Sequence, residues 1–317
     1  MIAGLTTGAV VFLILVGGIV RMTGSGMGCP DWPRCFGQWV PPTDISQLPA
    51  DYKQQFAVAG KEIADFDPFK TWVEYINRLL GVLIGFFAIG TAVYSLRLWN
   101  SMRVVTLMSV AALLLVIVQG GIGAYVVRTD LKTNIVTIHM VMALLIVAVL
   151  ELARLRTFQA AYQQRGRPDA LTSGLGWLLL GLILVQIIMG TQVREAVDEI
   201  AREMGESRRQ EWVSALTGVY HVHKFFYYVI AGVGAYWVYR LRQWNHWSAI
   251  VRQAYAMLAV LGAEVLLGIG MHRLGIPAFM QPLHLLLATL LFVVVLGMVV
   301  TLGLSHGRAY SEWVAEK

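Results

Sequence analysis

The stretch MQPLHLLLATLLFVVVLGMVVTLG, residues 280–303, contains no Asp, Glu, Lys or Arg and one histidine, His284. About 20 apolar residues are enough to cross the hydrocarbon core of a bilayer as a helix. The stretch therefore predicts a transmembrane helix with an ionisable residue near one end. Seven further apolar runs are long enough for the same role, at about 3–20, 72–96, 104–127, 134–153, 172–193, 216–239 and 253–271.

The composition agrees with a chain built largely of membrane helices. Of its 317 residues, 57% are hydrophobic and 14% are charged, whereas soluble domains are about 25% charged. A soluble enzyme of this size could not bury so much apolar surface, so that class is excluded. The net charge of +6 fits basic residues at a cytoplasmic lipid surface, and we expect a lipid bilayer and no nucleic acid as partner.

The topology is predicted from the even number of helices, which places both termini on one side. Lys and Arg are slightly denser in the segments that are internal if the termini are cytoplasmic, which favours that orientation. The run 3–20 lacks a basic flank and a clear cleavage site, so we interpret it as a retained helix. Without an Arg-rich transit segment, the chain is expected in a prokaryotic cell membrane, with the long loop 21–71 outside.

Short matches at a nearly constant spacing indicate an internal duplication. The offsets are 147, 145 and 146 residues, for GIGAY 121–125 with GIGMH 268–272, His139 with His284, and Asn77-Arg78 with His223-Lys224. We predict an all-α integral membrane protein with eight transmembrane helices in two pseudosymmetric four-helix bundles. Its parts are an N-terminal half 1–153, a cytoplasmic linker 154–171, a C-terminal half 172–303 and a cytoplasmic tail 304–317.

Four of the seven histidines lie near the outer ends of predicted helices, at similar depth; they are His139, His221, His223 and His284. Imidazoles from two helices of one bundle suit the axial positions of a haem iron, although a single membrane histidine is more often a packing residue. Because His221 and His223 point to different sides of a helix, only one can face a given site. The repeat favours His223, so we predict a haem between His223 and His284. His272 is expected at the interface, and His246 and His306 in solvent.

The N-terminal half offers His139 opposite Asn77, and an amide is a poor iron ligand. A haem held there by His139 alone would have an open face, which suits a reacting haem. This difference suggests chemistry in the N-terminal half and electron handling in the C-terminal half.

Glu74 lies three residues before Asn77, so both side chains can share one helix face. A carboxylate beside a haem could exchange a proton or stabilise a cationic intermediate. The alternative is a simple ion pair with Arg78, four residues on. Glu264 is a further acid within an apolar run, and we interpret it as a packing residue.

Basic residues are predicted at the outer mouths of the helices, where they could bind haem propionates or only anchor helices at the interface. They are Arg21, Arg78, Arg128, Arg194, Lys224 and Arg273. The charged segment 194–215 between two runs is expected to form a surface cap.

Cys29 and Cys35 flank a short loop with two prolines, which a disulfide could close at an oxidising outer face. The bridge would be either structural or redox-active. A metal site is less supported, because no histidine or third cysteine is nearby.

Together these segments resemble the haem A synthase family along nearly the whole chain. The resemblance rests on GGIVRMTGSG 17–26, CPDWPRC 29–35, VEYINR 73–78, QGGIGAYVVRTD 119–130, TNIVTIHM 133–140 and QPLHLLLATLLF 281–292. It implies oxidation of the C8 methyl group of haem O to the formyl group of haem A, which cytochrome oxidases use.

The resemblance also implies site residues. The C-terminal half would hold haem b at His223 and His284, and the N-terminal half would hold substrate haem O at His139. Glu74 maps onto an essential family glutamate, and Cys29 and Cys35 onto the family cysteine pair. Asn77 departs from the family pattern, in which histidine is common at this position.

The resemblance further suggests haem O synthase and cytochrome oxidase assembly factors as partners, with an electron acceptor that the sequence does not identify. The main alternative is a di-haem membrane cytochrome that passes electrons from quinol without modifying haem. This alternative predicts the same iron ligands in both halves, so the difference between Asn77 and His223 at equivalent positions argues against it. A transporter would place its polar groups at mid-membrane rather than at the outer mouths.

Overall fold

The computed structural model describes residues 2–162, 168–244 and 248–304. No β-strand occurs in these ranges, and eight long helices dominate them. They are α1 Ile2–Met22, α2 Pro68–Ser95, α3 Arg103–Arg128, α4 Thr133–Thr157, α5 Ala170–Met204, α6 Val219–Trp244, α7 Ser248–Arg273 and α8 Met280–Leu304. His246, His306 and most of the expected tail lie outside the described residues.

Seven of these helices are long and apolar enough to cross a membrane. The chain is thus an all-helical, multi-pass membrane protein. The helix outside this group is α6, which carries five tyrosines, two histidines and Lys224 among its residues. These polar groups lower the hydropathy of α6, so the eighth span stays a prediction.

The helices pack in two closed rings. In the first ring α1 and α3 each contact both α2 and α4, so α2 and α4 lie opposite each other. In the second ring α5 and α7 each contact both α6 and α8. The two rings meet where α1 contacts α8 and where α4 contacts α5 and α8. Side chains on α6 and α8 therefore converge from opposite sides of one ring.

A buried tryptophan shows how the second ring closes. Trp237 of α6 is fully buried, and its Nε1 donates to the carbonyl oxygen of Thr172 at 2.8 Å. A Cβ atom on Gly176 would lie only 2.6 Å from Cζ2 of Trp237. Glycine at this position therefore lets α5 approach α6.

An ion pair that we did not predict from sequence lies where the rings meet. Glu151 of α4 is buried and accepts from Nε of Arg154 at 2.8 Å and from Nη2 of the same guanidinium. Its Oε1 lies 3.6 Å from where a Cβ would stand on Gly297 of α8. The pair thus places a charge-assisted contact at the ring interface.

The long loop between α1 and α2 has a small core of its own. Phe36 packs edge-on against Tyr52, Phe56 and Phe66, beside the buried cysteines. The loop ends at Asp67, whose carboxylate caps α2 by accepting from Lys70 N at 3.2 Å. Pro68 at the first helical position favours this start, which is four residues earlier than the apolar run predicts.

The helix α5 continues well past the end predicted at 193. It runs to Met204, and Val197 packs on the buried Trp212 of the short helix Arg209–Ala215. The first part of the expected surface cap is therefore an extension of the membrane helix.

At its N-terminal end, α5 starts after Asp169. The Thr172 N–H and then the Arg240 guanidinium hold the pKa of the Asp169 carboxyl below its ordinary value.

Candidate functional site

The imidazoles of His223 and His284 face each other across the second ring. Their ring centroids are 6.3 Å apart, and the planes are nearly perpendicular, at 77°. Two metal–imidazole bonds of about 2 Å, with about 1 Å from each nitrogen to its ring centre, span about 6 Å. The separation is therefore compatible with one iron atom held between the two rings.

Each of the three predicted ligand histidines lies against a glycine of the preceding helix. A Cβ at the glycine would stand 3.3–3.5 Å from Cε1 of the ring, for Gly123 and His139, Gly190 and His223, and Gly268 and His284. A larger residue at these glycines would press on the imidazole. The same local packing thus recurs in both rings.

A polar side chain lies four residues before each of these glycines. Gln119 Nε2 donates to the carbonyl oxygen of His139 at 3.0 Å, and Gln186 Nε2 donates to that of His223 at 3.1 Å. The residue four positions before Gly268 is Glu264, and its Oε1 lies 3.1 Å from Nδ1 of His284. Glu264 therefore contacts a ring nitrogen, whereas the two glutamines contact the backbone.

Unpartnered polar atoms provide a second test of the fit to haem. Within the described residues, the buried Nδ1 atoms of His139, His223 and His284 and the buried Oδ1 of Asn77 have no hydrogen-bond partner. Buried polar groups without partners are rare in folded proteins. They concentrate at the two predicted haem sites, as expected where a polar prosthetic group completes the site.

The first ring departs from the second at Asn77. Asn77 on α2 takes the place of His223 on α6, and Gly17 on α1 takes the place of Gly190 on α5. Within the described residues, a Cβ at Gly17 would meet no atom within 4 Å, whereas one at Gly190 would stand 3.4 Å from the His223 ring. The glycine contact seen at His223 thus has no counterpart at Gly17.

Glu74 is buried at the junction of α2 and the external loop. Its Oε2 accepts the backbone N–H of Cys29 at 2.8 Å, and its Oε1 accepts from Nε of Arg78 at 3.1 Å. Both oxygens thus have partners. The ion pair considered as an alternative is present, and the carboxylate is held rigidly one turn from Asn77.

Arg78 is occupied by the same loop. Beyond Glu74, it donates to the carbonyl oxygens of Cys29 at 2.7 Å, Asp31 at 2.6 Å and Arg34 at 3.0 Å. A guanidinium has five N–H donors, and these contacts use all of them. No donor is left for a propionate.

Cys29 and Cys35 are joined by a disulfide. Both cysteines are fully buried, and the Cys29 N–H is the group that binds Glu74. The bridge therefore lies directly beside the buried carboxylate.

The remaining basic residues divide into paired and exposed groups. Arg21 and Arg194 both bind Asp198, at 2.8 and 2.6 Å, which sequence reasoning missed because Asp198 lies beyond the apolar run. Lys224 lies 3.1 Å from Nε2 of His272, whose Nδ1 is 2.6 Å from the Tyr220 hydroxyl. Arg128 and Arg273 are exposed.

The fold and these side chains define a multi-pass helical membrane protein with facing histidines between its helices. The chain belongs to the COX15-CtaA family, described as cytochrome oxidase assembly protein, whose model matches residues 1–296.

Three similar proteins share one name. A protein named Heme A synthase from Halalkalibacterium halodurans is 24% identical over 302 residues, which cover 91% of each chain. Another from Novosphingobium aromaticivorans is 26% identical, over 89% of this chain and 88% of the relative. One from Shewanella oneidensis is 29% identical over 145 residues, 46% of this chain and 41% of the relative.

Proposed function

We propose that this chain is a haem A synthase, an oxidoreductase that converts the C8 methyl group of haem O into the formyl group of haem A. The facing pair His223 and His284 carries the proposal, because 6.3 Å between ring centroids suits two axial ligands of one iron. Membership of the cytochrome oxidase assembly family supports the same function.

In the C-terminal half, His223 and His284 would hold haem b. When bound, this haem supplies one-electron redox chemistry. The surrounding helices contribute the rest: Gly190 and Gly268 allow both rings to enter the space between α6 and α8, and the buried apolar side chains of the ring exclude water.

In the N-terminal half, His139 would bind the iron of haem O, and Asn77 would leave the opposite side open. Glu74 would act as the acid–base group near the reacting edge. The Cys29 N–H and Arg78 orient its carboxylate, and either oxygen could exchange a proton during methyl oxidation.

Five basic residues remain proposed propionate contacts at the outer mouths: Arg21, Arg128, Arg194, Lys224 and Arg273. Arg21 and Arg194 already bind one carboxylate, that of Asp198. A propionate would offer them the same chemical group.

The complete architecture is proposed as eight spans in two pseudosymmetric bundles, with both termini cytoplasmic in a prokaryotic cell membrane. Reciprocal contacts between the rings support it. Thr137 of α4 bonds Thr191 of α5 at 2.8 Å. The equivalent residues by the repeat, Pro282 of α8 and Gly18 of α1, are also in contact, because a Cβ on Gly18 would stand 3.1 Å from the proline.

The substrate and product define the partners of this activity. An enzyme that makes haem O must supply the substrate, and the assembly of cytochrome oxidase would consume the product. An electron acceptor and an oxygen source are also required, because converting a methyl into a formyl group removes electrons from the carbon and adds an oxygen atom.

The test is to express the full chain in cells that make haem O but not haem A, and to identify the extracted haems by mass. The proposal expects the formyl product. Haem O that persists unchanged, in a folded chain with haem b bound, would favour the electron-transfer cytochrome instead.

A further inference from the structure

We propose that Glu264 is a positioning residue that tunes the haem of the C-terminal half through His284, an inference that rests on the ligation proposed above. Glu264 lies on α7, one turn before the glycine that backs the His284 ring, and its side chain is 13% exposed. Its Oε1 is 3.1 Å from Nδ1 of His284.

The effect of this contact depends on which nitrogen of His284 carries the proton. An imidazole that binds iron through Nε2 keeps its proton on Nδ1, and this N–H would lie 3.1 Å from Oε1 of Glu264, close enough to donate once the two groups align. Such a carboxylate fixes the ring and makes the ligand nitrogen a stronger electron donor. Stronger donation stabilises ferric over ferrous iron, so the contact lowers the reduction potential of the haem.

The packing around the three histidines shows that this contact is specific to one ligand. Gln119 lies four residues before the glycine that backs His139, as Glu264 does before Gly268, and its amide binds the carbonyl oxygen of His139. Gln186 does the same for His223. Of the three imidazoles, only that of His284 forms a close contact with a carboxylate among the described residues, at 3.1 Å.

The environment of the second carboxylate oxygen of Glu264 favours compensation of this acid by a nearby positive charge. Oε2 is buried and has no hydrogen-bond partner in the described part of the chain. A buried carboxylate is costly unless a cation compensates it. If His223 and His284 hold a ferric haem as proposed, its net positive charge would offset the Glu264 carboxylate through the intervening His284 ring.

The experiment is a spectroelectrochemical titration of the purified, haem-loaded full chain. A His139→Ala background removes the imidazole of the other site and leaves one haem signal. We compare Glu264→Gln, which keeps an oxygen acceptor without charge, and Glu264→Leu, which keeps neither. Gln119→Leu is the matched control at the equivalent place.

We expect the midpoint potential to rise in Glu264→Gln, to rise further in Glu264→Leu, and to stay unchanged in Gln119→Leu. The electron paramagnetic resonance spectrum of the ferric state should shift in the same order. Unchanged potentials in both Glu264 variants would overturn the proposal. Loss of haem from Glu264→Gln would also overturn it, because the amide keeps the acceptor. A parent chain that binds no haem would instead overturn the ligation itself.

Discussion

The carboxylate of Glu74 bridges the backbone N–H of Cys29 and the guanidinium of Arg78. This links the first residue of the disulfide loop to the helix that carries Asn77. An acid predicted from sequence for a haem edge is thus also the anchor of the external loop, and its two roles need separate tests.

Glu74→Gln is expected to abolish haem A formation while haem b stays bound, because the amide keeps the shape of the carboxylate but cannot exchange a proton. The measurement is the mass of the extracted haems. Cys29→Ser with Cys35→Ser is the companion variant, which removes the bridge and keeps Glu74. An unchanged product yield in Glu74→Gln would remove Glu74 from the mechanism.

Asn77→His should add a second imidazole to the first ring. Among the described residues Oδ1 of Asn77 is buried without a hydrogen-bond partner, and a Cβ on Gly17 of the neighbouring helix would meet nothing within 4 Å, so we expect a ring to fit. The haem of the N-terminal half should then change to a low-spin, six-coordinate absorption spectrum, and product formation should fall. Ile76→His, one residue earlier on an exposed position, is the control and should leave the spectrum unchanged.

Glu151→Ala is expected to destabilise the protein by about 1–3 kcal/mol, because it removes both charge-assisted hydrogen bonds between the buried carboxylate and the partly exposed Arg154 guanidinium. Thermal unfolding in detergent measures this. Glu151→Leu with Arg154→Met removes both charges and should recover part of the loss. Glu211→Ala, in an exposed pair with Arg208, should leave the unfolding midpoint almost unchanged. Equal effects of Glu151→Ala and Glu211→Ala would contradict the importance of the Glu151–Arg154 pair.

Gly176→Ala should destabilise the second ring by about 1–3 kcal/mol, since the added Cβ overlaps Trp237 and Val299. Gly174→Ala is its matched control, two residues away on the same helix, where a Cβ meets nothing within 4 Å. The measurement is the thermal unfolding midpoint of each variant. Similar midpoints for the two variants would contradict the close contact between Gly176 and Trp237.

Much of the fold follows from hydropathy alone. Apolar runs locate the long helices, because a membrane helix must hide its backbone in hydrogen bonds and its side chains in lipid. The extension of α5 to Met204 was not predictable this way. Its charged residues pair locally, as Arg194 does with Asp198 at 2.6 Å, and such a helix shows no apolar run.

The candidate site was only partly predictable. The offsets in the repeat place His139 and His284 at equivalent positions, and the contacts with Gly123 and Gly268 agree with that equivalence. The pairing of Glu264 with His284 depends on how α7 packs on α8, which periodicity does not report. Glu151 offered a signal, a charged residue inside an apolar run with Arg154 one turn on.

The most direct test of the account is the haem absorption spectrum of the purified chain with His223→Ala or His284→Ala. Each variant should lose the signal of the C-terminal haem, while His221→Ala, two residues from His223 at an exposed position, should keep it. If both ligand variants kept the parent spectrum, or if the parent chain were colourless, the proposed haem site between α6 and α8 would be wrong.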